Sequence, residues 1–167
     1  MTLEQYLSSI STAYKEVIAT ELYEGEIPNL TEETINQIAQ KTGLHFSMEK
    51  DSESNVCMAN NKEVRPEFRK TFSPIDILDY TYAILNSSNF RSQEIKNLET
   101  NFPYPKDAEI FWKLAEIGSQ IKKIHSPENL ERDDLVIYNL KIKLAFLETD
   151  KLVKKLDEII LEQLIDD

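Results

Sequence analysis

Leu3, Tyr6, Leu7, Ile10, Tyr14, Val17 and Ile18 recur three and four positions apart in the first segment, TLEQYLSSISTAYKEVIATEL, behind a Thr2-x-x-Gln5 capping box. That spacing gathers them on one stripe and predicts an amphipathic helix. GEIPN breaks the pattern. Thr31 can cap a second, short helix whose Ile35, Ile38 and Ala39 face inward until Gly43 ends it, with Leu44 closing the end hydrophobically.

Between residues 44 and 73 the helical period fades. LHFSM and NVCMA read as short strands separated by the polar string EKDSESN, which suits an exposed turn or loop. Helical order returns at FSPIDILDYTYAILNSS, where Ser73 as N-cap, Pro74 at the first helical position and Asp76 in the first turn form a start signal. Ile75, Leu78, Tyr82 and Leu85 then line one face. A short helix near Asn89 to Glu99 gives way to NFPYPK, whose two prolines force an extended path before the next helix begins at Asp107. Phe111, Leu114, Ile117, Ile121 and Ile124 make its stripe.

After Ser126-Pro127, one long pattern runs from about Asp133 to Ile165 through Leu135, Tyr138, Ile142, Ala145, Thr149, Leu152, Leu156 and Ile159. Alternating three and four spacing suits antiparallel packing on a bundle or on a partner helix. LVIYNLKIKL also has the alternation and β-branching of a strand, but the longer helical period favours helix. The fold class expected is therefore mainly α, an irregular helical bundle with a long C-terminal helix and a short β-hairpin possible near residues 44–60. A single domain is divided into an N-terminal helical pair (1–43), an irregular or hairpin segment (44–73), central helices (74–125) and the long C-terminal helix (126–167).

Composition agrees with this pattern. The 167 residues include 41% hydrophobic positions, enough for one core, and only three Gly and six Pro. Lys and Arg number 19 against 30 acidic residues, a formal charge of −11. Such a chain repels a phosphate backbone except where cations cluster on one face, so unaided DNA binding is expected to be weak. No apolar run approaches a membrane span, and MTLEQYLSSI lacks the basic start and apolar core of a signal peptide, which points to the cytoplasm.

Catalytic signals are missing. The single cysteine, Cys57, excludes an internal disulfide and reads as buried filler, and with only His45 and His125 beside it no Cys/His zinc set exists. Gly25, Gly43 and Gly118 are too far apart to cradle a phosphate or a dinucleotide. Neither histidine sits in a nucleophile motif, and the pairs Asp76/Asp79, Asp133/Asp134 and Asp157/Glu158 read as caps or solvated faces. Asn101-Phe102-Pro103-Tyr104 approaches the base-holding motif of amino-methyltransferases but lacks its first proline, and reads as an extended linker. No catalytic residue, metal ligand or cofactor is assigned.

Two cationic stretches remain. KEVRPEFRK places Lys62, Arg65, Arg69 and Lys70 around Phe68, with Glu63 and Glu67 partly offsetting them, and the last helix carries Lys141, Lys143, Lys151, Lys154 and Lys155. The first is the candidate DNA-binding set; the second reads as a solvated face.

Three longer strings carry a resemblance. IPNLTEETINQIAQKTGLHF (27–46), FSPIDILDYTYAILNSSNFR (72–91) and NFPYPKDAEIFWKLAEIGSQIKKIH (101–125) are similar, in content and order, to the C-terminal specificity region of type ISP single-chain restriction-modification enzymes and related adenine-specific DNA methyltransferases. Glu148-Thr149, Leu152-Val153 and Asp157-Glu158 are similar to the end of that region. The chain departs from it in lacking the Trp-Leu-Lys-Asp-Arg string between about residues 125 and 135, and it carries no nuclease, helicase or methyltransferase motif.

The resemblance implies a reduced piece of a target-recognition region, non-catalytic, acting on DNA in company with a catalytic restriction-modification partner. It assigns no base-contacting residue, so the DNA candidates rest on charge alone. Two readings compete: a protein interaction module that self-associates through Leu135, Tyr138, Ile142, Leu152, Leu156 and Ile159, and an acidic DNA mimic that inhibits a restriction system.

Overall fold

The computed structural model describes residues 32–47, 69–88, 103–125 and 135–165, with side chains from 140 to 161 in the last stretch. Its elements are α1 (Glu32–Thr42), β1 (His45–Phe46), β2 (Thr71–Phe72), α2 (Pro74–Asn86), α3 (Ala108–Ile124) and α4 (Leu135–Ile165). The chain is mainly helical, as the periodicity predicts, and α4 is the long C-terminal helix. The proposed first helix, the short helix near 89–99 and the NVCMA strand lie outside the described residues.

Helix α1 ends as its sequence requires. Gly43 adopts φ +69°, the left-handed conformation that costs glycine nothing, and its N–H bonds the Ala39 carbonyl at 2.8 Å. Leu44 is then buried, and Ile38 is buried with Ile35 and Ala39 packed against the core.

The strand expected in LHFSM is present as β1; NVCMA, the other strand of the possible hairpin near 44–60, lies outside the described residues. β1 pairs with β2 in parallel, His45 opposite Thr71 and Phe46 opposite Phe72. The His45 and Ser47 N–H groups donate to the Lys70 and Phe72 carbonyls, both at 2.9 Å. A parallel pair needs a long crossover, not a tight turn. Phe46 and Phe72 rings meet at 5.4 Å, and Phe72 meets Phe111 at 5.6 Å edge-on.

Helix α2 starts at Ser73 and Pro74, with the Asp76 carboxylate accepting from the Ser73 N–H at 2.9 Å and from its hydroxyl at 2.7 Å. The expected single stripe is too narrow. Besides Leu78 and Tyr82, the residues Ile77, Asp79, Tyr80, Ala83, Ile84 and Asn86 are buried, so α2 is enclosed on most of its circumference. Its polar groups are satisfied within the core: the Tyr80 hydroxyl donates to the Pro103 carbonyl, and the Asn86 amide donates to the Tyr82 carbonyl at 2.8 Å. Burial pushes the Tyr80 phenol well above its ordinary range, so it stays a neutral donor.

Helix α3 begins where Asp107 accepts the Ile110 N–H at 2.8 Å. Phe111, Leu114, Ile117 and Ile121 are buried as the stripe predicts. Contacts advance in the same direction along α2 and α3, from Asp79 beside Gly118 to Tyr82 beside His125. At Gly118 the two backbones nearly touch: a Cβ there would lie 1.8 Å from the Asp79 carbonyl oxygen. Helix α4 packs on α3 and joins the core through Val153, Leu156, Ile159 and Ile160, and Asp157 accepts the Ser88 N–H at 2.9 Å and its hydroxyl at 2.6 Å.

Candidate nucleic-acid interface

Of the four candidate DNA-binding residues, Arg69 and Lys70 are described; Lys62 and Arg65 lie outside the described residues. The two described cations are placed by β2. The Lys70 carbonyl is held by the His45 N–H, which fixes the backbone just ahead of the strand, and the Lys70 side chain is exposed. Arg69 is half-buried, its guanidinium carbon 5.0 Å above the centroid of the Trp112 ring. That distance lies within the range of a cation–π contact.

The indole is itself fixed from behind. Its ring meets Phe111 edge-on at 5.0 Å, and Phe111 stacks on Tyr80 at 5.3 Å. A continuous set of rings thus runs from Phe46 in β1 through Phe72 and Phe111 to Trp112, with Arg69 at its outer end. Sequence reasoning missed Trp112 as part of the site because 43 positions separate it from Arg69. The usable signal was that the chain's single tryptophan, a ring suited to a guanidinium, sits beside Lys113 near the start of α3.

Several of the remaining candidates have structural uses. His45 is exposed on β1, whereas His125 is buried at the end of α3 with Nδ1 2.6 Å from the Tyr82 hydroxyl. Asp76 caps α2, Asp79 pairs inside the core with Lys122, and Asp157 ties α4 to the end of α2. Asp133, Asp134 and Cys57 lie outside the described residues, as does the Asn101-Phe102 half of the linker; Pro103 and Tyr104 run without helix or strand, and Tyr104 packs on the core. Among the described residues no three His, Cys, Asp or Glu side chains gather as metal ligands, and no helix is long and apolar enough to cross a membrane.

Of the candidate interaction residues on α4, Ile142, Leu156 and Ile159 are buried, and Leu152 packs against the core. The side chains of Leu135 and Tyr138 lie outside the described set. The opposite face carries exposed Leu140, Leu144, Leu147 and Leu161, interspersed with exposed Lys143, Lys151, Lys154 and Lys155. Lys154 meets Asp150 at 2.9 Å and, by that hydrogen bond, holds the carboxyl below its ordinary range.

Neither a curated relative nor a solved structure matches the chain. A family model does, over residues 7–157, and it describes the type ISP C-terminal specificity domain. The match spans α1 to most of α4, including the β1–β2 pair and the Arg69–Trp112 contact, and so carries the resemblance of the three sequence strings across nearly the whole fold. The chain belongs to the type ISP C-terminal specificity domain family, the DNA-recognition domains of restriction-modification enzymes.

Proposed function

We propose that this domain contributes DNA contacts to a restriction-modification system whose chemistry is performed by a catalytic partner, with Lys62, Arg65, Arg69 and Lys70 as the contacting cations. The observation that carries this reading is the family match over residues 7–157, taken with the cationic pair Arg69–Lys70 held beside β2. A net charge of −11 works against DNA over most of the surface. Contact is therefore confined to the small cationic patch, and the partner supplies most of the phosphate neutralisation. The domain orients and selects; methylation or cleavage belongs to the partner.

The outward leucines of α4 favour a second reading, partner or self-association through that face. Among the described residues Leu140, Leu144, Leu147 and Leu161 are exposed there, an apolar set available to another protein.

A domain exchange tests the leading reading. A type ISP enzyme whose own specificity domain is replaced by this chain is expected to methylate a changed set of DNA sites. A hybrid that is folded and binds its methyl donor, yet methylates the original sites, would contradict the proposal.

A further inference from the structure

Trp112 is only 3% exposed, and its indole Nε1–H has no hydrogen-bond partner among the described residues. A buried donor without an acceptor carries a desolvation cost that phenylalanine at the same place would avoid. The hydrogen-bonding end of the ring therefore does not account for the choice of tryptophan. Its face does: indole offers a cation the strongest π surface among the side chains, and Arg69 sits over it at 5.0 Å. The ring is held by Phe111, and the backbone below Arg69 is held by the bond from the His45 N–H to the Lys70 carbonyl.

We propose that Trp112 is a positioning residue for DNA recognition, its indole face presenting the Arg69 guanidinium beside the exposed Lys70 to a backbone phosphate. A free arginine loses rotamer freedom when it binds; one already seated on a fixed ring has lost much of it during folding. A planar guanidinium can lie face-on against a ring and still donate from its edge, which a lysine ammonium cannot reproduce. The inference rests on the reading that the Arg69 side of the domain contacts DNA.

A double-mutant cycle on the full chain tests it, with a mixed-sequence duplex titrated at low salt by fluorescence anisotropy. R69A is expected to weaken binding about tenfold, as for loss of a charged hydrogen bond. W112L is expected to weaken it about threefold to fivefold when Arg69 is present, the size of a partly exposed cation–π contact. In the R69A chain the same W112L change is expected to add almost nothing. W112F, which keeps an aromatic face and removes the unpartnered N–H, is expected to melt no lower than the native chain and to bind within about twofold of it.

Should W112L fail to fold, the cycle is run with W112F, whose smaller loss must likewise vanish in the R69A chain. Equal losses with and without Arg69 would make Trp112 a packing residue only, overturning the proposal while the DNA reading stands. Native binding by R69A would remove the DNA reading of this face and the proposal with it.

Discussion

Gly118→Ala is expected to destabilise the domain by about 3 kcal/mol or more, at the upper end of what overpacking a core costs. The added Cβ would lie 1.8 Å from the Asp79 carbonyl oxygen, 2.8 Å from its carbon and 2.9 Å from the Ala83 nitrogen. All three atoms are backbone, so no side chain can swing aside. Relief requires α2 and α3 to separate, which loosens the Tyr82–His125 contact and the packing of Phe111 on Tyr80. Helix propensity works the other way, favouring alanine by about 1 kcal/mol, and is too small to compensate. For a chain of this size the loss corresponds to a melting temperature lower by roughly 6–12 °C. A variant that melts at or above the native temperature would show that the helices do not approach this closely.

The second large effect is expected at the buried ion pair. Asp79 and Lys122 side chains are 6% and 17% exposed and bond each other within the α2–α3 contact. Asp79→Ala strands the ammonium in an apolar setting, at a cost of about 3 kcal/mol; Lys122 keeps some route to water, which holds the loss near the low end for a broken buried pair. Removing both charges should be far milder, because the desolvation of two ions disappears along with their attraction. Urea denaturation of Asp79→Ala, Lys122→Met and the double variant measures this. The double variant is expected to be more stable than Asp79→Ala alone, whereas simple addition of the two single losses would show that the charges are not coupled.

Much of the fold was legible in local chemistry. The Ser73-Pro74-Asp76 start of α2, Asp107 at the start of α3 and Gly43 at the end of α1 act over three or four residues, and each is found where its sequence places it. The stripes of α3 and α4 were legible for the same reason: a period of three and four repeated over several turns leaves little choice of face.

What escaped depends on residues far apart in the chain. Strands of two residues have no measurable period, so the parallel pairing of 45–46 with 71–72 had no local signature. Asp79 looked like a solvated carboxylate because its partner Lys122 is 43 positions away, and the enclosure of α2 follows from packing that its own sequence does not announce. The candidate interface was half legible. Charge singled out Arg69 and Lys70, but neither charge nor spacing revealed that one of them rests on the ring of Trp112.

DNA contact through the Arg69–Lys70 face is tested most directly by titrating a mixed-sequence duplex with the purified chain at low and near-physiological salt, beside an unrelated acidic protein. The expected result is binding at low salt that weakens as salt rises, with the log–log slope reduced by about one in Lys70→Ala, as for a lost phosphate contact. No binding even at low salt, or an unchanged slope and affinity in both Lys70→Ala and Arg69→Ala, would contradict it and leave the leucine face of α4 as the working surface.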